Sequence, residues 1–130
     1  MAKGFVIAAP HSGSGKTLVT LGLLRALKNR GLKVISAKVG PDYIDSAFHA
    51  AATGKPCINL DYWAMGENSV RQKASTHAMG HDLLNIEGGM GQFDGTEGAD
   101  GSNADLAAVI GMPVIRGVDG ARQGQTIGAV

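Results

Sequence analysis

Cysteine is nearly absent. One Cys in 130 residues, Cys57, excludes a disulfide scaffold and a multi-cysteine zinc centre, and points to a reducing compartment such as the cytoplasm. A surplus of either charge is missing too. The 12 Lys and Arg stand against 11 Asp and Glu, a net charge of +1, which leaves no broad basic field for nucleic acid and no acidic tail. No apolar run approaches the ~18 residues of a membrane span. The opening MAKGFVIAAPHS lacks a signal-peptide pattern, so neither a membrane nor a nucleic acid is expected as partner. What abounds is glycine, at 20 of 130 residues, about twice the usual roughly 7%. With 44% hydrophobic residues the composition is not of low complexity, so these glycines belong to specific turns. The length predicts one domain, 1–130, able to bury somewhat under about 70% of the surface its unfolded chain exposes.

Along the chain, Phe5-Val6-Ile7-Ala8-Ala9 is a continuous apolar run of the kind a strand buried on both faces shows, ended by Pro10. Leu18, Leu21, Leu24 and Leu27, with Val19, Leu23 and Ala26, give helical spacing over 17–30, and Gly31 is placed as its C′ residue. A second strand is expected over 32–39, stopped by Gly40-Pro41, and a helix over 44–52. Residues 55–61 read mostly as loop, 63–78 as a rather polar helix, and 83–86 as a third strand running into Glu87. A long glycine-rich loop extends to Gly101, a helix covers 104–110, a fourth strand begins at 112–115, and 120–130 reads as the start of another helix. Alternating strands and helices predict an α/β domain with a mainly parallel sheet and right-handed crossovers.

Between the first strand and first helix lies Pro10-His11-Ser12-Gly13-Ser14-Gly15-Lys16-Thr17. Against the phosphate-loop pattern G-x-x-x-x-G-K-S/T it matches Gly15, Lys16 and Thr17, while Pro10 replaces the first glycine. Backbone N–H groups from Gly13 to Thr17, with Ser12 and Ser14 in the same loop, would ring a phosphate at a helix N-terminus. Lys16 would bridge outer phosphate oxygens and Thr17 would offer a hydroxyl to Mg²⁺. A Ser/Gly-rich turn that merely caps the helix is the bland alternative. His11 occupies the position of the extra signature lysine of plasmid-partition and division-site ATPases, which argues against that class.

Two further stretches leave strand ends, where ligands gather on a parallel sheet. Lys38-Val39-Gly40-Pro41-Asp42-Tyr43-Ile44-Asp45 places a lysine and two carboxylates there, and Glu87 ends the third strand as an acid of the Walker-B kind. A carboxylate closing an apolar run needs a cation or donors to offset its desolvation. The pair His77 and His81 lacks an evident third ligand and reads as surface residues, and Cys57 as a small buried or half-buried one.

Together APHSGSGKTLVTLGLLRALKNRGLKV, AKVGPDYIDSAFHAAATGKPCINLD, IEGGMGQFDG and GSNADLAAVIGMPV resemble the cobyrinate (or hydrogenobyrinate) a,c-diamide synthases of cobalamin biosynthesis, in the family's order and over almost the whole chain. A wider similarity runs to dethiobiotin synthetase and cobyric acid synthase. The resemblance implies a P-loop NTPase-like fold. It also implies an ATP- and Mg²⁺-dependent ligase that activates a side-chain carboxylate of cobyrinic or hydrogenobyrinic acid as an acyl phosphate for attack by ammonia. Carried onto matching positions, Lys16, Lys38, Asp42 and Glu87 are catalytic, and Thr17, Asp42 and Glu87 form the Mg²⁺ shell. Tyr43, Ile44 and Asp94 contact the corrinoid, with Asp45 supporting Asp42.

The chain also departs from the family. It resembles only the ATPase region, without the glutamine amidotransferase domain, so it is expected to be a partial domain whose ammonia is free or comes from a separate glutaminase. A homo-oligomer is allowed by the resemblance. Asn85 interrupts the third strand, Gly89 replaces a bulkier residue, Ser46 stands where proline is common, and Arg116 falls in an expected apolar strand, where burying its charge would be costly. A nucleotide-binding module without chemistry of its own, and a carboxylating ligase of the dethiobiotin-synthetase kind, remain as alternatives.

Overall fold

The protein is described here by a computed structural model covering residues 3–9, 15–40, 43–89, 103–118, 120, 121 and 124, with the backbone alone at 43, 62, 63 and 103–105. In chain order the elements are β1 (Gly4–Ala8), α1 (Lys16–Asn29), β2 (Val34–Val39), α2 (Tyr43–Thr53), β3 (Ile58–Leu60), α3 (Tyr62–Met65), α4 (Glu67–Ala78), β4 (Leu83–Glu87), α5 (Asn103–Ile110) and β5 (Val114–Arg116). The strands form one parallel sheet in the order β3-β2-β4-β1-β5, as the alternation of elements predicts.

The two faces of this sheet differ in chemistry, and the strand period of two explains how. Ile35 and Ala37 of β2, Leu84 and Ile86 of β4, and Val6 of β1 share one face. They join Val70, Ala74 and Ala78 of α4 and Leu106, Ala107 and Ile110 of α5 in a single apolar core. The register pairs Ser36 with Asn85 and Lys38 with Glu87, so these four polar residues share the opposite face. All four are buried. The burial on both faces expected of the first strand holds, since Val6, Ile7 and Ala8 are all buried, whereas β2 and β4 carry polar residues on this face. Asn85 does not interrupt its strand but belongs to the polar side of it.

Other expectations also shift. In α1 the buried residues are Thr20 and Leu24, whereas Leu18 is 78% exposed and Val19 is exposed too, so the leucine stripe is not the packed face throughout. The end of α1 follows its prediction: Gly31 has φ 88°, its N–H bonds to Lys28 O at 2.9 Å, and Leu32 N–H bonds to Leu27 O at 3.3 Å, the paired closure of a Schellman motif. The expected 63–78 helix is two, α3 and α4, because Gly66 takes φ 78° and ψ 168° between them. Residues 58–60, expected as loop, add a fifth strand beside β2. Arg116 is exposed on the edge strand β5, so it carries no burial cost. The expected helix over 120–130 lies largely outside the described residues. Among the described residues no helix is long and apolar enough to cross a membrane.

Gly4 shows how closely β1 and β4 approach. A Cβ there would lie 1.8 Å from the Leu84 carbonyl oxygen, a backbone atom that cannot swing away. Gly4→Ala is expected to cost about 1–3 kcal/mol, typical of overpacking, seen as a lower urea midpoint. An unchanged midpoint would show that the ladder yields freely at its start.

Candidate functional site

The carboxyl ends of β1, β2 and β4 meet at one edge of the sheet, next to the N-terminus of α1. Because Lys38 and Glu87 are register partners, their side chains project together from adjacent strands. Lys38 Nζ donates to Glu87 Oε2 at 2.9 Å and to Gly88 O at 3.1 Å, and lies 3.4 Å from Asp45 Oδ2. Thr17, in the first turn of α1, donates its hydroxyl to the same Asp45 oxygen at 3.2 Å. Lys16 Nζ reaches Gly89 O at 3.4 Å. Gly15 precedes them with φ 77°, a left-handed turn that a side chain would strain, and its carbonyl accepts the Val19 N–H at 3.0 Å. Five side chains from three elements and a strand tip are thus drawn together: Lys16, Thr17, Lys38, Asp45 and Glu87.

A sixth was not expected. His49 of α2 is wholly buried and sets Nε2 3.1 Å from Glu87 Oε2. Its other ring nitrogen, Nδ1, meets Ser36 Oγ, and Asn85 Nδ2 donates to that hydroxyl at 3.2 Å. The sequence did hold a signal: Asp45 and His49 are four apart on one helix and therefore share a face. Asp45, expected only to support Asp42, is itself in the cluster. Ser46, where proline was expected, is buried and donates to Asn59 Oδ1 at 3.2 Å, and Asn59 Nδ2 holds Gly40 O at 2.6 Å, so this hydroxyl helps fasten the turn from β2 into α2.

Of the remaining predicted residues, Ile44 is 74% exposed at the start of α2, and Tyr43 opens that helix. Ser12, Gly13, Ser14, Asp42 and Asp94 lie outside the described residues. His77 is corrected: it is half-buried, with Nε2 2.9 Å from Ser36 O, because it faces the sheet from α4.

The electrostatics follow from burial against pairing. Burial would raise the Glu87 carboxyl, but hydrogen bonds from His49 and Lys38 outweigh it and hold it at about 2. The Thr17 hydroxyl is close enough to add to this lowering, although its hydrogen bond is made to Asp45. Burial would lower His49, yet its neighbours Cys57 and Glu87 raise it from 6.5 to about 9. Lys16 is lowered, by burial first and by Lys38 second, against the pull of Glu87 and Asp45.

These shifts fix a pH window. Glu87 is depressed, so its contribution to stability is complete above 4.5 and is lost as the pH falls towards about 2. His49 is raised, so its contribution is complete below 6.5 and is lost as the pH rises through about 9. The metal-free chain is expected to resist urea best between these limits. In His49→Gln the alkaline decline should disappear while the acid decline stays; a wild-type midpoint that is flat from neutral to alkaline pH would contradict the assignment.

The donor set suits Mg²⁺, which takes hard oxygen ligands and is commonly held by one or two carboxylates together with phosphates. Among the described residues Glu87 Oε1 is buried with no hydrogen-bond partner, and the Thr17 hydroxyl and Asp45 carboxylate are near. Among the described residues no group of three or more His, Cys, Asp or Glu makes a metal site from protein alone.

A parallel sheet, a left-handed glycine, then lysine and threonine opening a helix, and an acid at a neighbouring strand tip define a P-loop NTPase. Residues 5–127 match the family model "CobQ/CobB/MinD/ParA nucleotide binding domain", and the chain belongs to that CbiA family. Its relatives include the hydrogenobyrinate a,c-diamide synthase of Sinorhizobium sp, 54% identical over 127 residues that make up 98% of this chain and 29% of that protein. The hydrogenobyrinate a,c-diamide synthases of Rhizobium meliloti (strain 1021) and Brucella anthropi are 52% and 54% identical, each over 98% of this chain and 30% of theirs. The chain thus spans about 30% of the length of the curated relatives it matches.

Proposed function

We propose that this domain binds Mg²⁺·ATP and activates a side-chain carboxylate of a corrinoid acid, the ATP-using half of an a,c-diamide synthesis. The observation that carries this reading is the convergence of Lys16, Thr17, Lys38, Asp45 and Glu87 at one sheet edge. Thr17, Asp45 and Glu87 would hold Mg²⁺, which when bound would supply charge neutralisation at the phosphates; Asp42 is the further oxygen donor that the resemblance supplies. Lys16 would follow the charge moving onto the transferring phosphoryl. Lys38 would hold the two carboxylates apart and in place. Ile44, exposed beside Asp45, is the proposed contact for the acceptor, with Tyr43 and Asp94 as its proposed companions.

The chemistry is a transfer in two steps. The acceptor carboxylate oxygen attacks the γ-phosphorus, the bond to the β-phosphate oxygen breaks, and ADP leaves. Ammonia then attacks the acyl carbon, phosphate leaves with the bonding pair, and the nitrogen loses a proton to give the amide. A free carboxylate does not react with ammonia because it lacks a leaving group, so activation is the domain's essential task, met by positioning and charge.

Positional isotope exchange tests this. In β,γ-bridge-labelled ATP, scrambling that depends on hydrogenobyrinic acid is expected. Its absence in a folded, nucleotide-saturated sample would overturn activation and favour a second reading, binding without turnover. Binding of diaminopelargonic acid in place of the corrinoid would point to a carboxylating ligase instead.

A further inference from the structure

We propose that His49 is a positioning residue: it shares one oxygen of the Glu87 carboxylate with Lys38, so that the other oxygen is presented to the metal–nucleotide. The inference rests on the nucleotide-binding reading above and concerns this chain's own residues.

Three observations carry it. First, the carboxylate is used unequally. Lys38 Nζ at 2.9 Å and His49 Nε2 at 3.1 Å both fall on Oε2, while Oε1 is buried and unpartnered among the described residues. A buried carboxylate oxygen left without a donor costs free energy unless something fills it. Second, His49 is itself held. Nδ1 meets Ser36 Oγ, which also takes Asn85 Nδ2–H at 3.2 Å, and Ser36, His49, Asn85 and Glu87 are each no more than 1% exposed. A polar chain Asn85–Ser36–His49–Glu87 therefore runs under α2, on strands whose reverse face uses Leu84, Ile86 and Ala37. Third, the direction of the bond is fixed. When the ring is neutral, the Ser36 hydroxyl donates to Nδ1 and leaves the proton on Nε2. When it is charged both nitrogens donate. In either state Nε2–H donates to Oε2, so orientation does not depend on the ring's charge.

A partner that merely packed would need none of this. Two donors on one oxygen hold the carboxylate plane in place and leave its second oxygen without a donor among the described residues. Outer-shell partners of this kind are commonly worth 10–100-fold in metal affinity.

Calorimetry on the whole chain tests the proposal, comparing the affinity for Mn²⁺·ATP with that for ATP in excess chelator. His49→Leu is expected to weaken Mn²⁺·ATP binding by about 10-fold or more and to change metal-free ATP binding by less than about 3-fold. His49→Gln, whose amide N–H stands near the position of Nε2–H, should restore most of the loss. Equal weakening with and without metal, or no rescue by glutamine, would reduce His49 to a structural role and overturn the proposal. So would His49→Leu binding Mn²⁺·ATP like wild type. Should His49→Leu fail to fold, Ser36→Ala carries the same test, with a metal-selective loss in the same direction expected and unchanged affinity overturning it. A wild-type chain that binds neither form would remove the nucleotide reading itself, and this inference with it.

Discussion

Lys38→Met should lower the stability of the chain by about 3–5 kcal/mol, the usual penalty for stripping the partner from a buried charge. Glu87 is 0% exposed, and Lys38 supplies its shortest contact at 2.9 Å. Without that ammonium, the carboxylate keeps only His49 as a donor among the described residues, and Gly88 O and Asp45 also lose a neighbour. The double variant Lys38→Met/Glu87→Gln removes both charges and should recover much of the loss, since replacing a whole buried pair costs far less than breaking one. Urea melts of the four proteins in the cycle would read the coupling directly. If Lys38→Met alone melts within about 1 kcal/mol of wild type, the ion pair is not what keeps Glu87 in the sheet.

Lys16→Ala should act in the opposite sense, on binding and not on folding. In the folded chain Lys16 gains one long contact, 3.4 Å to Gly89 O, and its charge is disfavoured by burial and by Lys38. Removing it therefore leaves stability unchanged or slightly raised. Nucleotide affinity should fall by about 100-fold or more, because charge-assisted hydrogen bonds to phosphate are the strong class. A residue poorly satisfied at rest yet needed for ligand is the expected mark of a functional position. Equilibrium binding of a fluorescent ATP analogue, set beside thermal melts, would separate the two effects. A variant that binds as wild type does would remove Lys16 from the phosphate site.

How much of this was legible beforehand depends on distance along the chain. The first strand, the lysine and threonine opening α1, and the Schellman closure at Gly31 are local patterns and appear where they were expected. The pairing of Lys38 with Glu87 spans 49 residues and exists only once β2 and β4 lie side by side in register. The sequence placed both at strand ends without showing that they touch. Asn85 looked like a fault because an apolar residue was expected in its place, whereas register gives it Ser36 as a neighbour. His49 lay inside α2, where its one signal was the spacing of four from Asp45, which shows a shared face but not the Glu87 that they meet. Short edge strands are the hardest case: Ile58, Asn59 and Leu60 are too few to display a period, and their pairing with β2 decides them. The exposure of Leu18 and Val19 shows the limit from the other side, since a helix with apolar residues at seven positions does not say which of them will meet the sheet.

The register of β2 against β4 has a consequence for how the molecule fails. Lys38 and Glu87, proposed to serve the nucleotide site, stand on the same two strands as the central hydrogen-bond ladder, so separating those strands would break both. Loss of nucleotide grip and loss of structure should therefore arrive as a single event on heating, with no dormant but intact species in between.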